Sequence, residues 1–178
     1  MTSNAKDIDL LVLDVDGVLT DGRVTLTASG EEINSFHVRD GSGIKYWMRA
    51  GKQAAIISGR SSPAVICRAG ELGIEHVRLG AKDKLPVLEA LLAELGVDAR
   101  RTAVVGDDLP DLPMIRCAGW SAAVADAVSE VRDAADYVTT APGGTGAVRE
   151  VIELLLRSGG LWETILQRYR PAGEGKSS

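Results

Sequence analysis

Two aspartates, Asp14 and Asp16, stand at the end of an aliphatic run, Leu10-Leu-Val-Leu13, and Gly17 follows them. Such a run reads as a strand buried on both faces. In an open α/β sheet a strand of this kind delivers its last residues to the ligand crevice at the carboxyl ends of the strands. Gly17 frees the backbone to turn sharply there. Carboxylates so placed can hold a divalent cation, attack an electrophile, or pass a proton between substrate and water. Two other readings compete. Asp14 and Asp16 could be turn residues bonding their own backbone. A calcium loop is excluded: counted from Asp14, its fifth, sixth and twelfth positions would need a ligand, glycine and glutamate, and hold Val18, Leu19 and Thr25.

Other groups lie at comparable places. Ser58 follows the apolar run Gln53–Ile57, Asp107 follows Thr102–Gly106, and Lys82 and Lys84 precede a helical stretch. These groups suit phosphoryl transfer. Two unit charges 4 Å apart repel by about 4 kcal/mol at an effective dielectric of 20, so a carboxylate approaching a phosphomonoester needs positive charge beside it. Magnesium with oxygen ligands, plus a lysine, would supply that charge.

The elements that position these groups alternate. Strands are expected at Leu10–Leu13, Gln53–Ile57, His76–Leu79, Thr102–Gly106, Trp120–Val124 and Tyr137–Val138. Helices are expected from Asp40 to Ala50, Ser62 to Leu72, Asp83 (as N-cap) to Leu95, Leu112 to Cys117, Val128 to Ala134 and Gly146 to Arg157. That alternation predicts an α/β fold: a Rossmann-like, mostly parallel sheet flanked by helices. Arg23–Thr27 and Glu31–Val38, around Ala28-Ser-Gly30, predict a β-hairpin beside the carboxylates. Residues 1–160 read as one domain with the hairpin at about 23–38; 161–178 form an amphipathic segment and a disordered tail. Trp162, Ile165 and Leu166, at helical spacing, dock either on their own subunit or on a neighbour.

The motifs carry a resemblance. Asp14-Val-Asp-Gly-Val-Leu-Thr-Asp-Gly22 resembles the first motif of the haloacid dehalogenase-like phosphatases, and its longer form resembles the 3-deoxy-D-manno-octulosonate 8-phosphate phosphatase branch. Ser58-Gly-Arg60, Gly80-Ala-Lys-Asp-Lys-Leu85 and Gly106-Asp-Asp-Leu-Pro-Asp111 resemble the second, third and fourth motifs. The resemblance implies that Asp14 attacks phosphorus, Asp16 acts as general acid and base, Ser58 hydrogen-bonds the phosphoryl group, and Lys84 rather than Lys82 is the catalytic lysine. It places Mg2+ on Asp14, the backbone carbonyl of Asp16, and Asp107. Asp108 and Asp111 either support that site or merely start a helix.

Substrate contacts are implied for Asp16, for His37-Val-Arg-Asp-Gly41, and for Arg60, Arg68 and Lys84. A sugar acid brings a carboxylate besides its phosphate, and arginine binds carboxylates bidentately. Relatives that use a nine-carbon ulosonate 9-phosphate tend to carry an acidic residue in place of Arg60, which favours the eight-carbon substrate. Arg68 could instead be a surface helix charge, and His37 could contribute only backbone. The hairpin stands where larger relatives carry a cap domain, and small-cap members close their pockets with neighbouring subunits, which implies a homo-oligomer, a tetramer favoured. A non-catalytic regulatory domain of the same fold is the reading from a different class; the presence of both Asp14 and Asp16 speaks against it.

Bulk properties agree. The 178 residues are 45% hydrophobic and 25% charged, with a formal net charge of −5, an ordinary globular balance. That charge gives no electrostatic reason to expect nucleic acid or anionic lipid. No signal peptide or membrane-spanning run is read, and a cytoplasmic location is expected. Cys67 and Cys117 are expected as buried small hydrophobes.

Overall fold

The computed structural model describes residues 5–170; the expected disordered stretch beyond Arg170 lies outside them. Strands β1 (Leu10–Leu13), β4 (Gln53–Ile57), β5 (His76–Arg78), β6 (Thr102–Gly106), β7 (Trp120–Ala123) and β8 (Tyr137–Val138) form a six-stranded sheet in the order β5-β4-β1-β6-β7-β8. Every pairing is parallel. Helices α1 (Val38–Arg49), α2 (Pro63–Leu72), α3 (Lys84–Leu95), α4 (Leu112–Cys117), α5 (Ser129–Ala134), α6 (Ala147–Ser158) and α7 (Trp162–Gln167) complete the α/β fold, and strands β2 (Thr25–Leu26) and β3 (Glu32–Ile33) make a small antiparallel hairpin. Among the described residues, no helix is long and apolar enough to cross a membrane.

The topology decides where ligands go. The chain leaves β1, builds β4 and β5 on one side, then returns to place β6 on the other. That reversal opens the crevice at the carboxyl ends of β1, β4 and β6. Leu13 is level with both Ile56 and Val105, so Asp14, Ser58 and Asp107 emerge at the same rim.

The structure corrects several expectations. The hairpin strands are only two residues each, because Val24, Leu26 and Ile33 lie exposed and no layer packs over them to extend the pairing. Helix α1 begins at Val38, so Val38 ends no strand. Gly41 and Gly43 lie inside that helix, as the expected helix from Asp40 required: a Cβ on Gly41 would fall 2.4 Å from Arg68, and one on Gly43 would fall 3.0 Å from Arg149. Their bareness lets α1 approach α2 and α6. Asp83 occupies the N-cap position of α3 but makes no side-chain capping bond. Cys67 is exposed and Cys117 half-buried; α2 turns Val65, Ala69 and Leu72 inward, which leaves Cys67 on its outer face. Trp162 and Ile165 are buried against their own chain, with the Trp162 ring between Arg149 and Arg157 and edge-on to Tyr46.

Candidate active site

The loop after β1 is wound tightly. The N–H groups of Val18, Leu19 and Thr20 all donate to the Val15 carbonyl, at 3.2, 2.9 and 3.0 Å. The buried Thr20 hydroxyl accepts from the N–H groups of Gly17 and Gly22, each at 3.3 Å. Gly17 has φ +90°, and a Cβ there would lie 2.1 Å from Asp107 Oδ2. Glycine is thus demanded both by the turn and by the carboxylate opposite. The glycine-rich stretch before α6 seats on this loop: a Cβ on Gly143 would lie 1.6 Å from the Gly17 carbonyl oxygen, and one on Gly144 would lie 2.4 Å from the Thr20 carbonyl carbon.

Lys84, at the first turn of α3, is buried with its ammonium between two carboxylates. Its Nζ donates to Asp14 Oδ1 and to Asp111 Oδ1, both at 2.7 Å. Burial pulls that ammonium's pKa down, but Asp14 and Asp111 outweigh it, so Lys84 titrates above its ordinary range. Lys82 is exposed, so only Lys84 reaches the carboxylates. Asp111 does more than start a helix. Its Oδ2 accepts from the N–H of Asp107 at 3.0 Å and, more weakly, of Asp108 at 3.4 Å. It thereby orients Asp107 and Lys84 together, while Asp108 caps the turn by accepting from Leu109 N–H at 2.8 Å. Of the two roles left open for Asp111, the structure shows both: with Asp108 it forms a capping box at the turn after β6, and it also holds Lys84.

Asp14, Asp107 and Asp111 bring carboxylate oxygens within 4.8 Å of one another. Burial first, then mutual repulsion, pushes Asp14 up to about 6 and Asp107 up to about 8. Asp107 Oδ1 is buried without a hydrogen-bond partner. Three carboxylates against one lysine lack positive charge, and an all-oxygen donor set suits a hard divalent cation. The site fits Mg2+.

Asp16 lies apart from this cluster. Ser58 Oγ donates to its Oδ2 at 3.5 Å, and Arg60 Nε lies 3.8 Å from its Oδ1. Arg60 also donates to Glu32 on the hairpin at 2.6 Å, a partner that nothing in the sequence marked. His37, Asp40, Gly41 and Arg68 line one recess together with Leu19 and Phe36. Asp40 is buried there, and its Oδ1 accepts from Arg149 N–H at 2.7 Å in the first turn of α6. Its Oδ2, 3.8 Å from His37 Nδ1, has no hydrogen-bond partner. Val38 and Arg39 are exposed.

Comparison with known proteins agrees with this geometry. Residues 79–152 match the haloacid dehalogenase-like hydrolase family. The chain is 45% identical over 160 residues to the 3-deoxy-D-manno-octulosonate 8-phosphate phosphatase KdsC of Haemophilus influenzae, covering 90% of this chain and 89% of that one. It is 46% identical over 158 residues to the corresponding Escherichia coli enzyme, covering 89% and 84%. The crystal structure of the Moraxella catarrhalis phosphatase, in complex with magnesium, phosphate and KDO, superposes with a TM-score of 0.93 at 41% identity, covering 95% of this chain and 97% of that one.

Proposed function

The chain belongs to the 3-deoxy-D-manno-octulosonate 8-phosphate phosphatase family of haloacid dehalogenase-like hydrolases, and from that premise we propose that it hydrolyses 3-deoxy-D-manno-octulosonate 8-phosphate in lipopolysaccharide sugar biosynthesis. One observation carries the reading: Asp14 is pinned to Lys84 inside an acidic cluster, whereas Asp16 stands outside it beside Ser58 and Arg60. Two carboxylates in such different surroundings can take different roles.

Asp14 is the nucleophile. Its oxygen forms a bond to phosphorus as the bond from phosphorus to the sugar oxygen breaks, and Asp16 gives its proton to the departing oxygen. Asp16 then takes a proton from water, which attacks the aspartyl-phosphate and restores Asp14. Lys84 keeps the Asp14 carboxylate from rotating and adds positive charge beside the phosphoryl oxygens, with Ser58 as a hydroxyl donor to them. Asp14, Asp107 and the carbonyl of Asp16 would hold Mg2+, which supplies the charge that lets an anionic nucleophile meet an anionic ester. Arg60, Arg68 and the His37–Gly41 segment bind the sugar acid; in that segment, Asp40 contributes mainly by fixing α6. The enzyme works in the cytoplasm as a homo-oligomer, a tetramer favoured, with 1–160 as its catalytic domain.

The test is phosphate release from the octulosonate phosphate, with Mg2+ and then with EDTA, beside Asp14→Asn and a panel of sugar phosphates that includes a nine-carbon ulosonate 9-phosphate. Preference for the octulosonate, abolished by EDTA and by the substitution, is expected. Equal turnover across the panel would overturn the substrate, and no release from a folded protein would overturn catalysis.

A further inference from the structure

Side-chain hydrogen bonds that the chemistry above does not use tie the hairpin to the loop after β4. Ser62 Oγ donates to Asn34 Oδ1 at 2.8 Å, Asn34 Nδ2 donates to Glu32 Oε1 at 3.1 Å, and Arg60 Nη2 donates to Glu32 Oε2 at 2.6 Å. Residues two apart in extended chain share a face. Glu32 and Asn34 therefore oppose Arg60 and Ser62 as matched pairs. The far end of this run reaches the chemistry: Arg60 N–H donates to Ser58 Oγ at 3.2 Å, and Arg60 Nε lies 3.8 Å from Asp16 Oδ1.

The hairpin needs this support. Its backbone pairing covers only Thr25 with Ile33 and Leu26 with Glu32, and so short a ribbon does not hold itself in water. Arg60 needs it too, because it stands between two carboxylates and hydrogen-bonds only one. An isolated surface ion pair contributes little, but a short charge-assisted bond within a network fixes where a guanidinium points. With Glu32 removed, the nearest anion to Arg60 is Asp16, and a guanidinium drawn toward it would turn away from the carboxylate of an incoming sugar acid. Arg60 Nη1 makes no hydrogen bond among the described residues, and the side chain is about half exposed at 48%.

We propose that Glu32 and Asn34 are positioning residues that clasp the hairpin to the loop after β4, hold Arg60 off Asp16, and present its guanidinium to the carboxylate of a sugar-acid substrate. The proposal rests on the reading of Arg60 as substrate-facing and extends it to hairpin residues that need not touch the substrate.

The test uses the full chain with Mg2+ and compares Glu32→Ala, Glu32→Gln and Asn34→Ala on two substrates, the octulosonate phosphate and p-nitrophenyl phosphate, which has no carboxylate. Hydrogen exchange of the hairpin amides is followed in the same variants. Loss of a charged hydrogen bond predicts that Glu32→Ala raises KM for the octulosonate phosphate by about tenfold to a hundredfold. Its kcat, and KM for p-nitrophenyl phosphate, should stay within about twofold of the parent. Glu32→Gln, whose amide oxygen still accepts, should fall between. Asn34→Ala should speed exchange in the hairpin. Equal losses on both substrates, or an unchanged KM in Glu32→Ala, would overturn the positioning role. Hairpin amides that exchange at the parental rate in both alanine variants would overturn the clasp. A parent enzyme inactive on the octulosonate phosphate would overturn the substrate alone, because exchange reads the clasp without it.

Discussion

Asp111→Asn tests whether the acidic cluster works as a unit. Asp111 uses both oxygens, Oδ1 for Lys84 at 2.7 Å and Oδ2 for the Asp107 N–H at 3.0 Å. An asparagine has one acceptor oxygen, and its NH2 only donates. However it is turned, one donor then faces another, and a charged hydrogen bond of about 1.5–3 kcal/mol is lost. Against this, one negative charge leaves a group whose oxygens lie within 4.8 Å. At that distance two unit charges repel by about 3.5 kcal/mol at an effective dielectric of 20. The two effects oppose each other, so metal-free stability should shift by no more than about 2 kcal/mol in either direction. Magnesium-loaded protein gains nothing from losing a carboxylate, and Lys84 is no longer held from both sides. Turnover should therefore drop by about tenfold to a hundredfold, with a smaller Mg2+-induced rise in Tm. Phosphate release and thermal unfolding, each with and without Mg2+, read both effects. Parental kcat together with a parental Mg2+ response would refute the assignment of Asp111 to the site.

Other outcomes follow from the same geometry. Asp107 is raised to about 8 and Asp14 to about 6 from an ordinary 3.8. Between those values the folded state keeps protons that the unfolded chain releases, so the Tm of metal-free protein should fall as pH rises from 5 to 8. Saturating Mg2+ should flatten that slope, and a flat slope in EDTA would contradict the shifts. Gly17→Ala would drive a methyl into Asp107, whereas Gly30→Ala, at φ +85° with nothing within 4 Å, meets only backbone strain. Denaturant unfolding should show a loss of about 1–2 kcal/mol for Gly30→Ala and a far larger one for Gly17→Ala. Trp162→Ala should cost about 3–5 kcal/mol and raise protease sensitivity after Arg157; parental stability would mean that α7 does not dock on its own subunit.

How much of this was legible in the chain depended on how local each signal is. Asp14, Ser58 and Asp107 could be read because an aliphatic run ending in a polar residue is a pattern within one short segment. The parallel sheet could be read because strand and helix periods alternate along the chain. The hairpin was overextended, since β-prone residues such as Val24 and Ile33 appear alike in sequence whether or not a layer covers them. The start of α1 was misplaced because the partial alternation from Glu31 to Val38 carried the hairpin into the helix's first turn.

The sequence by itself determined which groups are available: two aspartates two residues apart after β1, a lysine at a helix start, and a third carboxylate after β6. Backbone periodicity and turn chemistry suffice for that, because they act between near neighbours. Only the tertiary structure decided the partners. Lys84 reaches Asp111 across 27 residues and Asp14 across 70, and Glu32 reaches Arg60 across 28. Their coming together depends on the order in which strands are laid beside β1, and no spacing along the chain encodes those distances.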